Sequence, residues 1–417
     1  MKYKLSEIGE IVSGGTPSTK INDYWNGDVA WITPKDLANY NKKYISRGER
    51  NISKLGLDSS SATLLPVNTV LFTSRAPIGY VAIAKNELAT NQGFKSIICD
   101  KNKCNYRYMY YWLKFNTQKI IEKANGSTFL EISGASMKNI EIDLPLLEEQ
   151  NKIIKILETI DSKIELNDEI NDNLQMFINN LFIEFFIDIK PEKNEMKTTE
   201  LGNIPVDWNI GILSDIVEFS NGYGFDSKKM LDEEIDSSYK VFKMGNINIG
   251  GGINKTKTKS WMKYEDCVGL DRFIAKKGDI LMCMTDMKNS GNPLLGHTAL
   301  IDKDNEFVIN QRVGLLRCNK GISYAYVYTL SNLDFFISDI RSRANSGVQV
   351  NLTTKGICET KVIIPDSEVL KKFENIVNPI YEKKFNILQE NEELLQLRET
   401  LLPKLMNGEI DLDKIEI

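Results

Sequence analysis

The chain is written twice. LSEIGEIVSGG at 5–15 returns as LSDIVEFSNGY at 213–223, and VAWITPKDL at 29–37 as YKVFKMGNI at 239–247. TNQGF at 90–94 returns as INQRV at 309–313, and YRYMY at 106–110 as YAYVY at 324–328. ANGSTF at 124–129 is matched by ANSGVQ at 344–349, and IDLP at 142–145 by VIIP at 362–365. The order never changes and the period is about 220 residues, so the fold must be built from two similar halves.

Each half has a mixed region followed by a long helical run. Short apolar segments such as TVLFT, YVAIA, DILMCM and VGLLRC read as strands between Gly, Pro, Asn and Asp turns. YRYMYYWLKFNTQKIIEKA reads as a helix. Residues 146–186 contain neither Gly nor Pro. Their apolar positions fall on a heptad seam through Ile153, Leu157, Ile160, Ile164, Leu174, Ile178, Leu181 and Phe185, with Asn167 and Asn171 in mid-seam. The second run carries Phe373, Val377, Ile380, Ile387, Leu394, Leu401 and Leu405; Pro379 should kink it and Gly408 stop it. At 1.5 Å per residue each helix would be about 60 Å long. The two seams should pair antiparallel, with Ile160, Ile164 and Leu174 against Ile380, Ile387 and Leu394. The expected class is α+β: two similar domains related by pseudo-two-fold symmetry, separated by a pair of long antiparallel coiled-coil helices. The expected boundaries are 1–145, a helix at 146–190, a linker at 191–210, a second domain at 211–365, a helix at 366–410 and a tail at 411–417.

Charge follows the same division. The net charge of −5 conceals 19 Lys and Arg against 13 Asp and Glu in residues 1–145. The acid concentrates in 146–190, with 10 acidic against 4 basic residues, and in 366–417, with 12 against 7. A nucleic-acid surface on the mixed regions is compatible with that distribution. No apolar run is long enough to span a bilayer and the N-terminus has no apolar signal core, which points to a cytoplasmic protein without membrane contact. The six Cys are scattered, as free thiols are.

Catalytic chemistry is hard to find. The one His, His297, has no Cys or His near it in sequence, which disfavours a zinc site or His-based catalysis. GGTPST at 14–19 and GGGINKTKTKS at 250–260 lack the spacing of a phosphate loop. PDSEVLKK at 365–372 has the wrong spacing for a nuclease carboxylate set, and its acids suit a helix start. No Pro-Pro occurs, so the aromatic-flanked motif of base methylases is missing.

GGTPST…YWNGDVAWITPKDL, LPLLEEQNKIIKILETID and LRETLLPKLMNGEI resemble the specificity subunit of type I restriction–modification systems, across essentially the whole chain. The resemblance implies that each mixed region is a target recognition domain reading half of a bipartite, asymmetric duplex DNA site. It implies that the helices are spacers docking two methyltransferase subunits, which methylate adenine at N6, with motor–nuclease restriction subunits joining them. This chain would be non-catalytic and hold no cofactor; S-adenosylmethionine, ATP and Mg would belong to the partners. A stand-alone, repressor-like DNA-binding protein and a coiled-coil protein adaptor are the rival readings.

Base edges and phosphates are held by amide, hydroxyl and basic side chains, and four repeated places offer them. The first is Lys35 and Asp36, matched by Lys243 and Asn246. The second is Thr73, Ser74 and Arg75, matched by Thr285, Asp286 and Lys288. The third is Asn91 and Gln92, matched by Asn310, Gln311 and Arg312. The fourth is the turn of Asn125, Gly126 and Ser127, matched by Asn345, Ser346 and Gly347 with Gln349 beyond. Tyr106, Tyr108, Tyr110 and Trp112 read better as one face of a core helix than as a stacking platform.

Overall fold

A computed structural model describes residues 1–38, 40, 42–126, 130–190, 195–287, 294–346 and 349–414. The chain divides into two compact units, Met1–Leu166 with Glu390–Ile417, and Asn167–Gln389. Each unit therefore takes part of each long helix. No helix among the described residues is long and apolar enough to cross a membrane.

In the first unit a five-stranded sheet runs in the order Gly9–Ser13, Lys95–Cys99, Val70–Ser74, Ile78–Ala84, Tyr44–Ile45. Val70–Ser74 is buried along its whole length because both sheet faces are covered. Val70, Phe72 and Ile97 pack under the helix Tyr106–Ile121 with Tyr108 and Leu113, while Leu71, Ala82 and Phe94 face a second cluster with Ile32 and Leu37. A three-stranded sheet places Trp25–Ile32 between Arg50–Ile52, antiparallel, and Ala89–Thr90, parallel. Lys2–Lys4 pairs with Glu141–Asp143.

The second unit repeats this plan. Its four-stranded sheet runs Val217–Asn221, Val313–Cys318, Ile280–Cys283, Thr298–Leu300. Ser238–Phe242 sits between Trp261–Lys263, antiparallel, and Phe307–Ile309, parallel. Asn209–Ile212 pairs with Lys361–Ile364. The single 16-residue helix of the first unit becomes two, Tyr324–Ser331 and Asp334–Ser342. Asn105 and Ser323 start the equivalent helices, each side-chain oxygen accepting from a backbone N–H two residues on. Tyr108, Tyr110 and Trp112 are buried, as is Tyr326, so the aromatic stripe is core.

The long helices are Leu147–Phe186 and Ser367–Met406, 40 residues each. The second continues through Pro379, which lies exposed and does not end the helix. In the first unit Asp161 meets Arg398 at 3.0 Å and Lys163 meets Glu390 at 3.2 Å, so the helices run antiparallel. In the second unit Gln175 meets Lys384 at 2.6 Å, and the rings of Phe182 and Phe373 lie 5.9 Å apart, again antiparallel.

This register is compatible with the expected antiparallel seam. Lys163 lies opposite Glu390 and Asp161 opposite Arg398, which brings the Ile160–Ile164 stretch alongside the stretch that carries Leu394, and Gln175 opposite Lys384 brings Leu174 alongside the stretch that carries Ile380. Ile380 packs against the cluster containing Ile178, Phe182, Phe373 and Val377. Ile153 and Leu157 are buried with the helix Tyr106–Ile121, in the core of their own unit. Ile387 is buried, whereas Ile164, Leu174 and Leu394 are half-buried. The apolar stripes therefore bind each helix to its globular core as much as to the other helix.

Candidate nucleic-acid interface

In the first unit five turns are stitched together by backbone hydrogen bonds. Gly15 N donates to Thr90 O at 2.9 Å and Asn91 N to Ile32 O at 2.9 Å. Ser74 N donates to Gly93 O at 2.7 Å, and Ile132 N to Ser74 O at 3.0 Å. Asn125 and Glu131 exchange both backbone bonds at 3.0 Å, closing a hairpin. The approach is tight: a Cβ on Gly14 would lie 2.1 Å from Asn91 O.

The second unit reproduces the set bond for bond. Tyr223 N donates to Ile309 O at 2.8 Å, Asn310 N to Phe242 O at 3.1 Å, Met284 N to Arg312 O at 3.3 Å and Leu352 N to Met284 O at 2.9 Å. Asn345 pairs with Asn351, six residues on, as Asn125 pairs with Glu131. A Cβ on Gly222 would lie 2.2 Å from Asn310 O. The duplicated polar turns are thus the ends of two equivalent hairpins, each seated on the turn cluster of its own unit.

The bonds also fix which residues correspond. Ser74 and Met284 occupy the same place, so Arg75 matches Thr285, and Thr73 matches Cys283. The sequence match of Thr73 with Thr285 is therefore out by two positions. Lys288, expected to mirror Arg75, lies outside the described residues, as do Ser127 and Gly347; of Ser346 and Gln349 only the strand positions are described.

Several candidate side chains hold the turns rather than face outward. Asp36 accepts from Thr33 N at 2.7 Å, Thr33 Oγ1 at 2.6 Å and Glu49 N at 2.7 Å. Asn246, its counterpart, is buried; it accepts from Lys243 N at 2.9 Å and donates to Asn254 O at 3.0 Å and Thr258 Oγ1 at 3.1 Å. Both are caps whose polar atoms are consumed locally. Thr73 is fully buried, donating to Pro77 O and accepting from Tyr80 N, both at 2.8 Å. Ser74 is buried too, and Thr285 donates to Asn351 Oδ1 at 2.8 Å. Asp286 accepts from Leu294 N. Asn91 and Asn310 are half-buried and accept from the backbone two residues on, at 2.8 and 3.5 Å. Lys243 is half-buried on Ser260 Oγ at 2.7 Å.

Others lie at the surface. Gln92, Gln311, Arg312, Asn125, Gly126 and Asn345 are exposed, and Thr16 Oγ1 donates to Gln92 Oε1. Lys35 is exposed and pairs with Glu49 at 2.6 Å. Arg75 is partly exposed and pairs with Glu131 at 3.4 Å. Sequence reasoning missed Glu131, Lys95 and Asn351. Glu131 and Asn351 each stand six residues after the repeated Asn, a signal the alignment of the two turns contained. His297 is a core residue, its Nδ1 accepting from Gly250 N at 3.3 Å; burial pulls its imidazole below the usual range.

The pattern of the family described as type I restriction modification DNA specificity domain matches residues 1–176 and 205–396. The chain is 35% identical over 423 residues to the type I restriction enzyme MjaIX specificity subunit of Methanocaldococcus jannaschii, covering 99% of this chain and 94% of that one. It is 23% identical to the HindI specificity subunit of Haemophilus influenzae, over 70% of this chain and 74% of that one. In fold it is similar to the crystal structure of a type I restriction–modification S subunit from M. genitalium, with a TM-score of 0.54 and 16% identity over 97% of this chain and 95% of that one. With two copies of one mixed fold, paired long helices and matches across nearly all its length, the chain belongs to the type I restriction–modification specificity subunits, the recognition subunits that bear neither the catalytic chemistry nor the cofactor of the complex.

Proposed function

We propose that each unit reads one half of a bipartite duplex DNA site through its own turn cluster, the two half-sites differing in sequence. One observation carries this reading. The same backbone bonds hold the five turns in both units, yet the side chains at their tips differ: Arg75 and Glu131 in one stand where Thr285 and Asn351 stand in the other. A frame kept constant while the side chains set on it vary is what separate readout of two sequences requires. Lys35, Gln92 and Asn125 in the first unit, and Gln311, Arg312 and Asn345 in the second, are the side chains best exposed to reach DNA.

The long helices are the docking elements for two methyltransferase subunits, and through them for the motor–nuclease subunits. Exposed Leu166, Met176, Phe177, Ile376 and Leu397 supply apolar surface on these helices. S-adenosylmethionine and ATP with Mg act in those partners.

The test exchanges residues 1–145 for the matching region of a relative with a different target and maps methyladenine genome-wide. One half of the methylated sequence should change while the other is retained. A change in both halves, or an unchanged site, would refute independent reading. DNA binding with no co-purifying methyltransferase would favour a stand-alone DNA-binding protein instead.

A further inference from the structure

Arg75 and Glu131 face each other across the hairpin, Nη1 to Oε2 at 3.4 Å, with both side chains more than a third exposed. Lys95 lies beneath them with its side chain 9% exposed, its Nζ 3.9 Å from the other carboxylate oxygen. The three residues sit at the meeting of three turns, fixed by the Arg75–Glu131 bridge and the pairing of Lys95 with Ser13. In the second unit the same three places hold Thr285, Asn351 and Gly314. There the charged set is replaced by a neutral hydroxyl–amide bond of 2.8 Å.

An ordinary phosphate clamp has cations alone. Here a carboxylate stands beside the guanidinium and would repel a phosphate placed on Arg75. A guanine–cytosine pair has the opposite character. In the major groove its edge offers two acceptors on guanine, O6 and N7, and one amino donor on cytosine. A guanidinium next to a carboxylate matches that acceptor, acceptor, donor order. Buried Lys95 completes the arrangement by anchoring Glu131 from below. Burial pulls its ammonium below the usual range, Glu131 opposes that pull and Arg75 adds to it.

Resting on the reading of the turn clusters as DNA-facing, we propose that Arg75 and Glu131 are the specificity-determining pair of the first unit, reading one guanine–cytosine pair together, with Lys95 as the positioning residue. Arg75 takes the guanine acceptors and Glu131 accepts from the cytosine amino group. The second unit, lacking the charges, reads its half-site by other chemistry at the equivalent place.

The experiment uses the full chain and a library of random duplexes, followed by titration of the selected site. Wild type should select a site with a guanine–cytosine pair in one half that Arg75→Ala no longer prefers, with a loss of about 5- to 150-fold against that pair and little change in the other half. Arg75→Lys, which keeps the charge but loses the fork, should also lose the preference while retaining the salt dependence. Glu131→Gln should relax the choice of base pair while nonspecific affinity holds or rises, because a negative charge has gone; a merely structural role for Glu131 would lower all binding together. A probe on the DNA side avoids any folding defect. Replacing that guanine by 7-deazaguanine should weaken wild type but leave Arg75→Ala unaffected. Uniform weakening by Arg75→Ala, with a salt slope smaller by about one, would mean a phosphate contact and overturn the proposal. A wild-type preference that every variant retains would overturn the pair alone. No preference by wild type would overturn the DNA-facing reading beneath it, and the proposal with it.

Discussion

Asp161 is a point where loss of one charge should be strongly felt. It lies in the first long helix and receives the Tyr111 hydroxyl, Arg398 Nη1 at 3.0 Å and Lys43 Nζ at 3.4 Å. Its side chain is 13% exposed and that of Lys43 9%, so solvent screens the group little. Asp161→Asn keeps the shape and removes the charge. Breaking a buried pair from one side costs about 3–5 kcal/mol. Lys43 keeps Glu158 at 3.3 Å and Arg398 is 27% exposed, which reduces the loss to about 2–3 kcal/mol. For a unit of this size that lowers the melting temperature by about 4–12 °C. Calorimetry of the full chain reads it, and hydrogen exchange should localise the loss to Tyr106–Ile121 and the adjoining long-helix segments. Acid provides a second readout. Burial raises the Asp161 carboxyl, but the bonds from Tyr111 and Arg398 and the charge of Lys43 outweigh it, so its pKa in the fold is below its ordinary value. Its contribution is therefore complete above about pH 4 and disappears as pH falls through the folded value. Wild type should lose more stability than Asp161→Asn over that range. Melting unchanged within about 1 °C, or parallel acid profiles, would refute the reasoning.

Three further outcomes follow from the geometry. Thr73→Val should cost about 1–3 kcal/mol by leaving Tyr80 N–H and Pro77 C=O without a partner, seen in urea titration, with the selected DNA sequence unchanged. Asn246→Ala removes three bonds that hold one loop and should destabilise the second unit by about 1–3 kcal/mol without altering its half-site, read by denaturation and library selection. Burial pulls the Lys384 ammonium down to about 8, so the unfolded chain binds more protons from there to about pH 10.4 and stability rises with pH across that window. Lys384→Met should therefore stabilise the second unit at pH 7 by about 1–2 kcal/mol after the lost bonds to Gln175 and Asn171 O are deducted, and the gain should shrink as pH rises from about 8 to about 10; a variant less stable at pH 7 would contradict this.

The duplication and the two long helices were legible because they reside in local pattern: ordered repeats, and a run at 146–186 without Gly or Pro. What was not legible depends on partners distant in sequence. The strings TSRAPIG and TDMKNSG suggest that Thr73 matches Thr285; strand pairing with Phe94 and Val313 gives Cys283 instead. An acceptor that caps a turn, as Asp36 and Asn246 do, has the same residue type as one that reads a base. The helix seam was legible only in part, for a related reason. A heptad stripe identifies which side is buried but not against what, and Ile153 and Leu157 are buried against their own unit's core helix. The pair Arg75 and Glu131 is separated by 56 residues and only the hairpin unites it.

The two copies also show how such a fold can change its chemistry without changing its frame. Tyr111 and Thr329 occupy matching places on the core helices, as Asp161 and Tyr381 do on the long ones. In the first unit the joint is a tyrosine hydroxyl donating to a carboxylate; in the second it is a bond of 2.8 Å between two hydroxyls, Thr329 and Tyr381. The contact persists while the charge does not. Burial drives the Tyr381 hydroxyl far above its ordinary range, so it stays neutral at any acidity where the protein folds. Of these two equivalent joints, only the one in the first unit releases on acidification. The backbone bonds that hold the clustered turns have the same indifference to side chains: Ser74 and Met284 donate and accept alike through the main chain. A frame built from main-chain bonds lets the residues set on it diverge, as Arg75 and Glu131 have from Thr285 and Asn351, without loss of the fold.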